Sequence, residues 1–188
     1  MYCGKNYRQK NNKKPTRGNG KLENKEKNLS RAAIRAGSNL RSLIIMNNLE
    51  YFWTLTYKEE VEKEEQVKKD FDRFMKRLRY RIGNIKYVCV REIQEKRAEK
   101  TGRRVWHLHL CINKYVKHEI MEKAWGNGYV AVKKYSSSNE EDKKKNLLAT
   151  AGYMSKYVKK DIEKYHTAEK RRYWSSKGLE RPHKFKTN

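Results

Sequence analysis

Two stretches decide the fold: Ile85-Lys86-Tyr87-Val88-Cys89-Val90-Arg91-Glu92-Ile93 and Val105-Trp106-His107-Leu108-His109-Leu110-Cys111-Ile112-Asn113. Both are rich in β-branched and aromatic residues and are short enough to be strands. Side chains alternate along a strand, so Val88, Val90 and Glu92 share one face of the first. In the second, His107 and His109 project from one face and Leu108 from the other, with the imidazoles about 7 Å apart at the backbone. The charged segment Glu95–Arg104, which contains Gly102, reads as a loop that makes the two stretches hairpin partners.

Working outward, Tyr51-Phe52-Trp53-Thr54-Leu55-Thr56-Tyr57 is dense in β-formers and predicts another strand. Between Glu59 and Arg81 the period changes. Val67, Phe71, Phe74, Met75, Leu78 and Ile82 fall on one stripe at spacings of three and four, which predicts an amphipathic helix. Its glutamates crowd the start and its Lys and Arg the end, as the helix dipole favours. Downstream, Val116–Trp125 predicts a short helix, and Gly126-Asn127-Gly128 turns the chain into a strand over Tyr129–Lys134. A polar loop over Ser136–Lys144 precedes a last helix from about Asn146 to Lys164, and a first helix is predicted over Leu29–Asn48 on Ala33, Ile34, Leu40, Leu43 and Ile44. The middle of this order is βαββαβ. It predicts an α+β, ferredoxin-like core with an antiparallel sheet, helices on one face and the other face free to carry a metal site, plus N- and C-terminal extensions. The expected division is a flexible basic arm at 1–28, a domain at 29–165 with its core at about 50–162, and a basic, aromatic extension at 166–188.

The chain of 188 residues carries 47 Lys and Arg against 22 Asp and Glu, a formal net charge of +25. So large an excess calls for a polyanionic partner, and nucleic acid is the first candidate. No stretch is apolar enough to span a membrane and no apolar signal core follows Met1, which points to a cytoplasmic protein, in a bacterial or host-cell cytosol. Cys3, Cys89 and Cys111 are odd in number and widely spaced, so neither a disulfide framework nor a zinc finger is indicated. No GxxxxGK phosphate loop occurs, so a helicase would have to come from the host.

Two imidazoles on one strand face suit a first-row divalent metal, and a carboxylate at Glu92 on the neighbouring strand supplies a third ligand, with Gln94 as a further oxygen donor. Open positions beside such a set suit Mn²⁺ or Mg²⁺ engaging a phosphate. In the last helix, Tyr153 and Tyr157 are i and i+4 and so share a face, with Lys156 and Lys160 each three residues on. A phenol with a pKa near 10 is a poor nucleophile, but a nearby ammonium and a metal-polarised phosphate make its attack feasible. Taken singly, each motif has a plain structural reading: a strand-end charge, a histidine pair in a sheet, two tyrosines against a sheet edge. Arg91, Arg103, Arg104, Lys133, Lys159, Arg171 and Arg172 are the candidate nucleic-acid contacts.

Taken together, in order, Phe52–Tyr57, Glu92-Ile93-Gln94, His107-Leu108-His109, Trp125-Gly126-Asn127-Gly128 and Tyr153-Met154-Ser155-Lys156-Tyr157 resemble the HUH endonucleases. The likeness is to the rolling-circle replication initiators of small single-stranded-DNA phages and plasmids. The resemblance covers roughly Tyr51 to Asp161 and implies that His107, His109 and Glu92 hold a divalent cation. It implies that tyrosine cuts one DNA strand, leaving a 5′-phosphotyrosine and a free 3′-OH. Tyr153, followed by Lys156, fits the family's Tyr-x-x-Lys pattern, yet Tyr157 has Lys160 at the same spacing, so their order of use stays open. The implied partners are single-stranded or hairpin origin DNA with a host helicase and polymerase. A transposase or plasmid-mobilisation relaxase of the same chemistry is the nearest alternative; from another class, a non-catalytic module for single-stranded DNA or RNA.

Overall fold

A computed structural model of the chain describes residues 19–103, 105–133, 139–165 and 172–182. In chain order its elements are α1 (Asn19–Met46), β1 (Tyr51–Tyr57), α2 (Glu64–Ile82), β2 (Tyr87–Ile93), α3 (Glu95–Thr101), β3 (Trp106–Ile112), α4 (His118–Trp125), β4 (Gly128–Lys133), α5 (Glu140–Tyr165) and β5 (Trp174–Ser175). The five strands form one sheet in the order β4-β1-β3-β2-β5, with every pairing antiparallel. This is the expected α+β arrangement, with the two apolar stretches at its centre.

Alternation along the strands sorts the core into two layers. On one face, Trp53, Leu55, Cys89, Leu108 and Leu110 pack with Val67, Phe71, Phe74, Met75 and Leu78 of α2 and with Met121, Ala124 and Trp125 of α4. The predicted stripe of α2 is therefore its buried stripe, save for the half-buried Ile82. Burying that much aromatic and aliphatic area is the main stabilisation of a chain otherwise so polar. Asp70, buried in the same stripe, accepts hydrogen bonds from Tyr57 Oη at 3.1 Å and Gln66 Nε2 at 2.9 Å, and pairs with Arg73.

The opposite face carries the histidines and is shared with the α1–α5 helix pair. Ala33, Ala36, Leu40, Leu43 and Ile44 of α1 meet Ala151, Met154, Val158 and Ile162 of α5, and both sets close over Phe52, Val88, Val90 and Cys111. Ile34, expected on the apolar face of α1, instead points outward and is exposed.

Three segments differ from the expectation. Helix α1 begins at Asn19, ten residues before Leu29. The added turns are rich in Lys and Glu, which propagate a helix well but leave no apolar stripe to mark it in the sequence. Residues 1–18 of the predicted arm lie outside the described residues. The Glu95–Arg104 loop contains the short helix α3, ended by Gly102 in the left-handed conformation. Within 172–182, the C-terminal extension docks: Trp174 adds β5 to β2 and buries its ring against Phe71 at 4.9 Å. At the start of β4, Gly128 has φ +148°, and a Cβ there would come within 2.4 Å of Thr56 O and Lys58 N, so only glycine lets the chain pair this closely with β1. No described helix is long and apolar enough to cross a membrane.

Candidate metal centre and tyrosine pair

The register lines up side chains in rows across the sheet. Glu92 of β2 lies opposite His107 of β3, which lies opposite Thr56 of β1, which lies opposite Tyr129 of β4. The next row is Val90, His109, Thr54 and Ala131. Directly opposed residues share a face, so Glu92 and both imidazoles emerge together. Among the described residues they form a group whose ligand atoms all lie within 4.8 Å of one another.

His109 is the buried member. Its Nε2 is 2.8 Å from Glu92 Oε2, and its Nδ1 is 3.3 Å from Thr54 Oγ1. A hydroxyl at one ring nitrogen and a carboxylate at the other fix the ring's orientation, the arrangement that holds a metal-binding imidazole in place. His107 is half-buried and contacts the Gln94 amide through both ring nitrogens. Burial, helped by the charges of His109 and Arg97 and opposed by Glu92, lowers the His107 pKa to about 4, so its imidazole is neutral near pH 7. Burial works to raise the Glu92 pKa, but the bonds and charges of His109 and Lys160 outweigh it and hold the carboxyl below its ordinary value.

Two neutral-capable imidazoles and an ionised carboxylate form a donor set suited to a divalent cation. The side-chain oxygen of Gln94 is buried and has no hydrogen-bond partner among the described residues. An acceptor left unmet beside this cluster is what a hard cation satisfies, and the residues present therefore fit one.

Helix α5 delivers the tyrosines to the same place. The Tyr157 ring stacks on His109 with centroids 4.1 Å apart, and Phe52 stacks at 5.7 Å, also near-parallel to the imidazole. Tyr153 packs edge-on to Phe52 and Tyr157, remains 40% exposed, and accepts a short hydrogen bond from the Tyr157 hydroxyl. Burial, the bond to Tyr153 and the Glu92 charge all raise the Tyr157 pKa above its ordinary value. Of the two phenols, Tyr153 is the one presented to solvent.

The lysines divide. Lys160 reaches into the cluster, with its Nζ 3.3 Å from both Glu92 Oε1 and Glu95 Oε1. Burial opposes its charge, but these carboxylates raise its pKa overall. Lys156 lies exposed on α5. Sequence reasoning missed the second partners of the cluster: Thr54 at His109, Phe52 under its ring, and Glu95 on Lys160. The β1 motif contained the first two, but only the β1–β3 register shows which of its residues face the histidines.

The candidate nucleic-acid contacts scatter. Lys133 lies 5.4 Å from the Tyr153 ring centroid, beside the cluster. Arg91 does not: alternation turns it to the α2 face, where it is buried, pairs with Glu64 and lies over Trp174 at 5.2 Å. A guanidinium so enclosed is held for the fold rather than offered to a polyanion, so that expectation is corrected. Arg103 is exposed and pairs with Glu60 and Glu62 at 3.5 and 3.6 Å. Lys159 runs along the α1–α5 seam, where a Cβ on Gly37 would come 2.9 Å from its Cε. Arg172 is half-buried just ahead of β5. Arg104 and Arg171 lie outside the described residues.

No curated protein and no solved structure matches the chain. One family model does: that of the replication-associated protein ORF2 family, over residues 50–162. That span is more than half of the chain and takes in every element from β1 to Ile162 of α5, and with them Glu92, His107, His109 and both tyrosines. The fold, the cluster and this match lead to one conclusion: the chain belongs to the replication-associated protein ORF2 family, whose members are of the replication-initiator type.

Proposed function

We propose that this replication-associated protein is an HUH-type, metal-dependent endonuclease and strand transferase. In this reading it starts rolling-circle replication by cutting one DNA strand at the origin. The observation that carries the reading is the meeting of two chemistries at one point: the Tyr153–Tyr157 hydroxyl pair sits on the ring of His109, itself bonded to Glu92. Glu92, His107 and His109 would hold Mn²⁺ or Mg²⁺, with Gln94 as a further oxygen donor. When bound, the cation supplies Lewis-acid polarisation of a phosphate oxygen.

The chain's own residues do the rest. Tyr153 Oη attacks phosphorus, a P–O bond to tyrosine forms, and the bond to the 3′ oxygen breaks. The phenol gives up its proton and the departing 3′ oxygen takes one, so the ester linkage is conserved for rejoining. Tyr157, donating to Tyr153, stabilises the developing phenolate and is free for the second transfer. Lys160 neutralises Glu92 before the phosphate arrives, and Lys133 and Lys156 add positive charge around Tyr153. Single-stranded or hairpin origin DNA is the substrate, the cytosol the compartment, and a host helicase and polymerase act next.

The test is incubation of the full chain with hairpin oligonucleotides and Mn²⁺, followed by a denaturing gel. A covalent adduct that needs metal and disappears in His109→Ala is expected. Binding without adduct under every metal condition would instead make the protein a non-catalytic nucleic-acid-binding module.

A further inference from the structure

The row that begins with Glu92 and His107 does not end at the metal cluster. It continues through Thr56 to Tyr129 on β4, the edge strand of the sheet. The α1–α5 pair closes over Val88, Val90, Phe52 and Cys111. It leaves the β4 side of this face open: Tyr129 is 64% exposed, Ala131 and Lys133 are exposed, and Thr54 and Thr56 are half-buried. An aromatic ring standing in water at the end of a row of ligands has no packing reason to be there. Phe52 and Tyr157, by contrast, are spent on His109.

Spacing gives the open floor a scale. Tyr129 and His107 are two strands apart, about 10 Å at the backbone. A single strand extended between them advances one or two nucleotides, so a base next to a phosphate held at His107 falls on the Tyr129 ring. Lys133, further along the same face of β4, lies at the far corner where the backbone continues.

We propose that Tyr129 is a base-stacking platform for unpaired DNA, holding a nucleotide one or two positions from the phosphate at the cluster, with Thr56 and Lys133 forming the floor and rim of that track. The proposal rests on the endonuclease reading for the location of the phosphate. Stacking on a π face is sequence-tolerant and is lost on truncation to alanine. The occupant is single-stranded nucleic acid because the surroundings are cationic and the ring is a flat, exposed face; the formal charge of +25 supplies the complementarity.

The experiment measures affinity of the full chain for a 12-nucleotide oligo(dT) and for a 12-nucleotide abasic strand of equal charge, in EDTA so that no cleavage intervenes. The wild type is expected to prefer oligo(dT). Tyr129→Ala should lose about 5- to 150-fold in oligo(dT) affinity. It should lose little on the abasic strand. Tyr129→Phe should keep the preference, and so should Tyr115→Ala, which removes an equally exposed ring away from this row. Unchanged oligo(dT) affinity in Tyr129→Ala, or an equal loss on both strands, would overturn the platform. Adduct formation is scored separately, so a wild type that binds with base preference but never forms an adduct would overturn the endonuclease reading and leave the platform standing.

Discussion

His107 stands between Gln94, Glu92, His109 and Arg97, and burial with its cationic neighbours holds its pKa at about 4 against an ordinary 6.5. Between those values the unfolded chain takes up a proton that the folded chain refuses. Stability therefore rises with pH across that window and falls on acidification. Glu92, held below its ordinary value, acts in the same direction at the acidic end, its contribution present above the unfolded carboxyl value and lost as pH falls through the folded one. Thermal unfolding of the metal-free protein should show a midpoint that drops steadily from about pH 6.5 to about pH 4. His107→Gln should flatten that slope; an unchanged slope would assign it to other groups. The tyrosines make a second prediction at this scale. Tyr153→Phe should abolish the first adduct, because it removes the attacking oxygen. Tyr157→Phe should reduce it only about 2- to 10-fold, the worth of one neutral hydrogen bond, and chiefly impair strand transfer. Peptide mapping of the phosphate to Tyr157 would reverse this order.

At the scale of the element, the informative case is β5. Basic residues interleaved with aromatics can suit a surface that tracks a nucleic-acid strand as well as a tail that folds back. Here Trp174 is buried against Phe71, with Lys68 and Arg91 over its ring at 5.5 and 5.2 Å. Trp174→Ala should cost about 3–5 kcal/mol of unfolding free energy, as for other buried tryptophans. The folded variant should keep its affinity for single-stranded DNA, and a large loss of affinity at unchanged stability would restore the stacking role. Helix α5 teaches a related point. Its period of Ala151, Met154, Val158 and Ile162 is readable in the sequence, and so is the i, i+4 pairing of its tyrosines. That the helix lies on the histidine face, with Tyr157 flat on His109, follows from its packing against α1 and is written in neither helix alone.

For the molecule as a whole, charge decides the manner of binding. A protein with a net +25 that neutralises about six phosphates of a single strand should show a slope near about −4 in a plot of log affinity against log salt. Deletion of residues 1–18, with six Lys and Arg, should make that slope shallower while leaving adduct formation per bound complex intact. A flat response in the full chain would remove the basic surface from the DNA grip.

Strand period, the helix stripe of α2 and the HxH pair are local regularities, so the βαββαβ order and the ligands Glu92, His107 and His109 could be read from the sequence. The neutrality of His107, the bracing of His109 by Thr54 and Phe52, the withdrawal of Arg91 to the far face and the exposure of Tyr129 could not. Each depends on which strand lies beside which and in what register, and pairing between segments far apart in the chain is set by the packing of two cores at once. Periodicity says which way a side chain points along its own strand; only the assembled sheet says what it meets there.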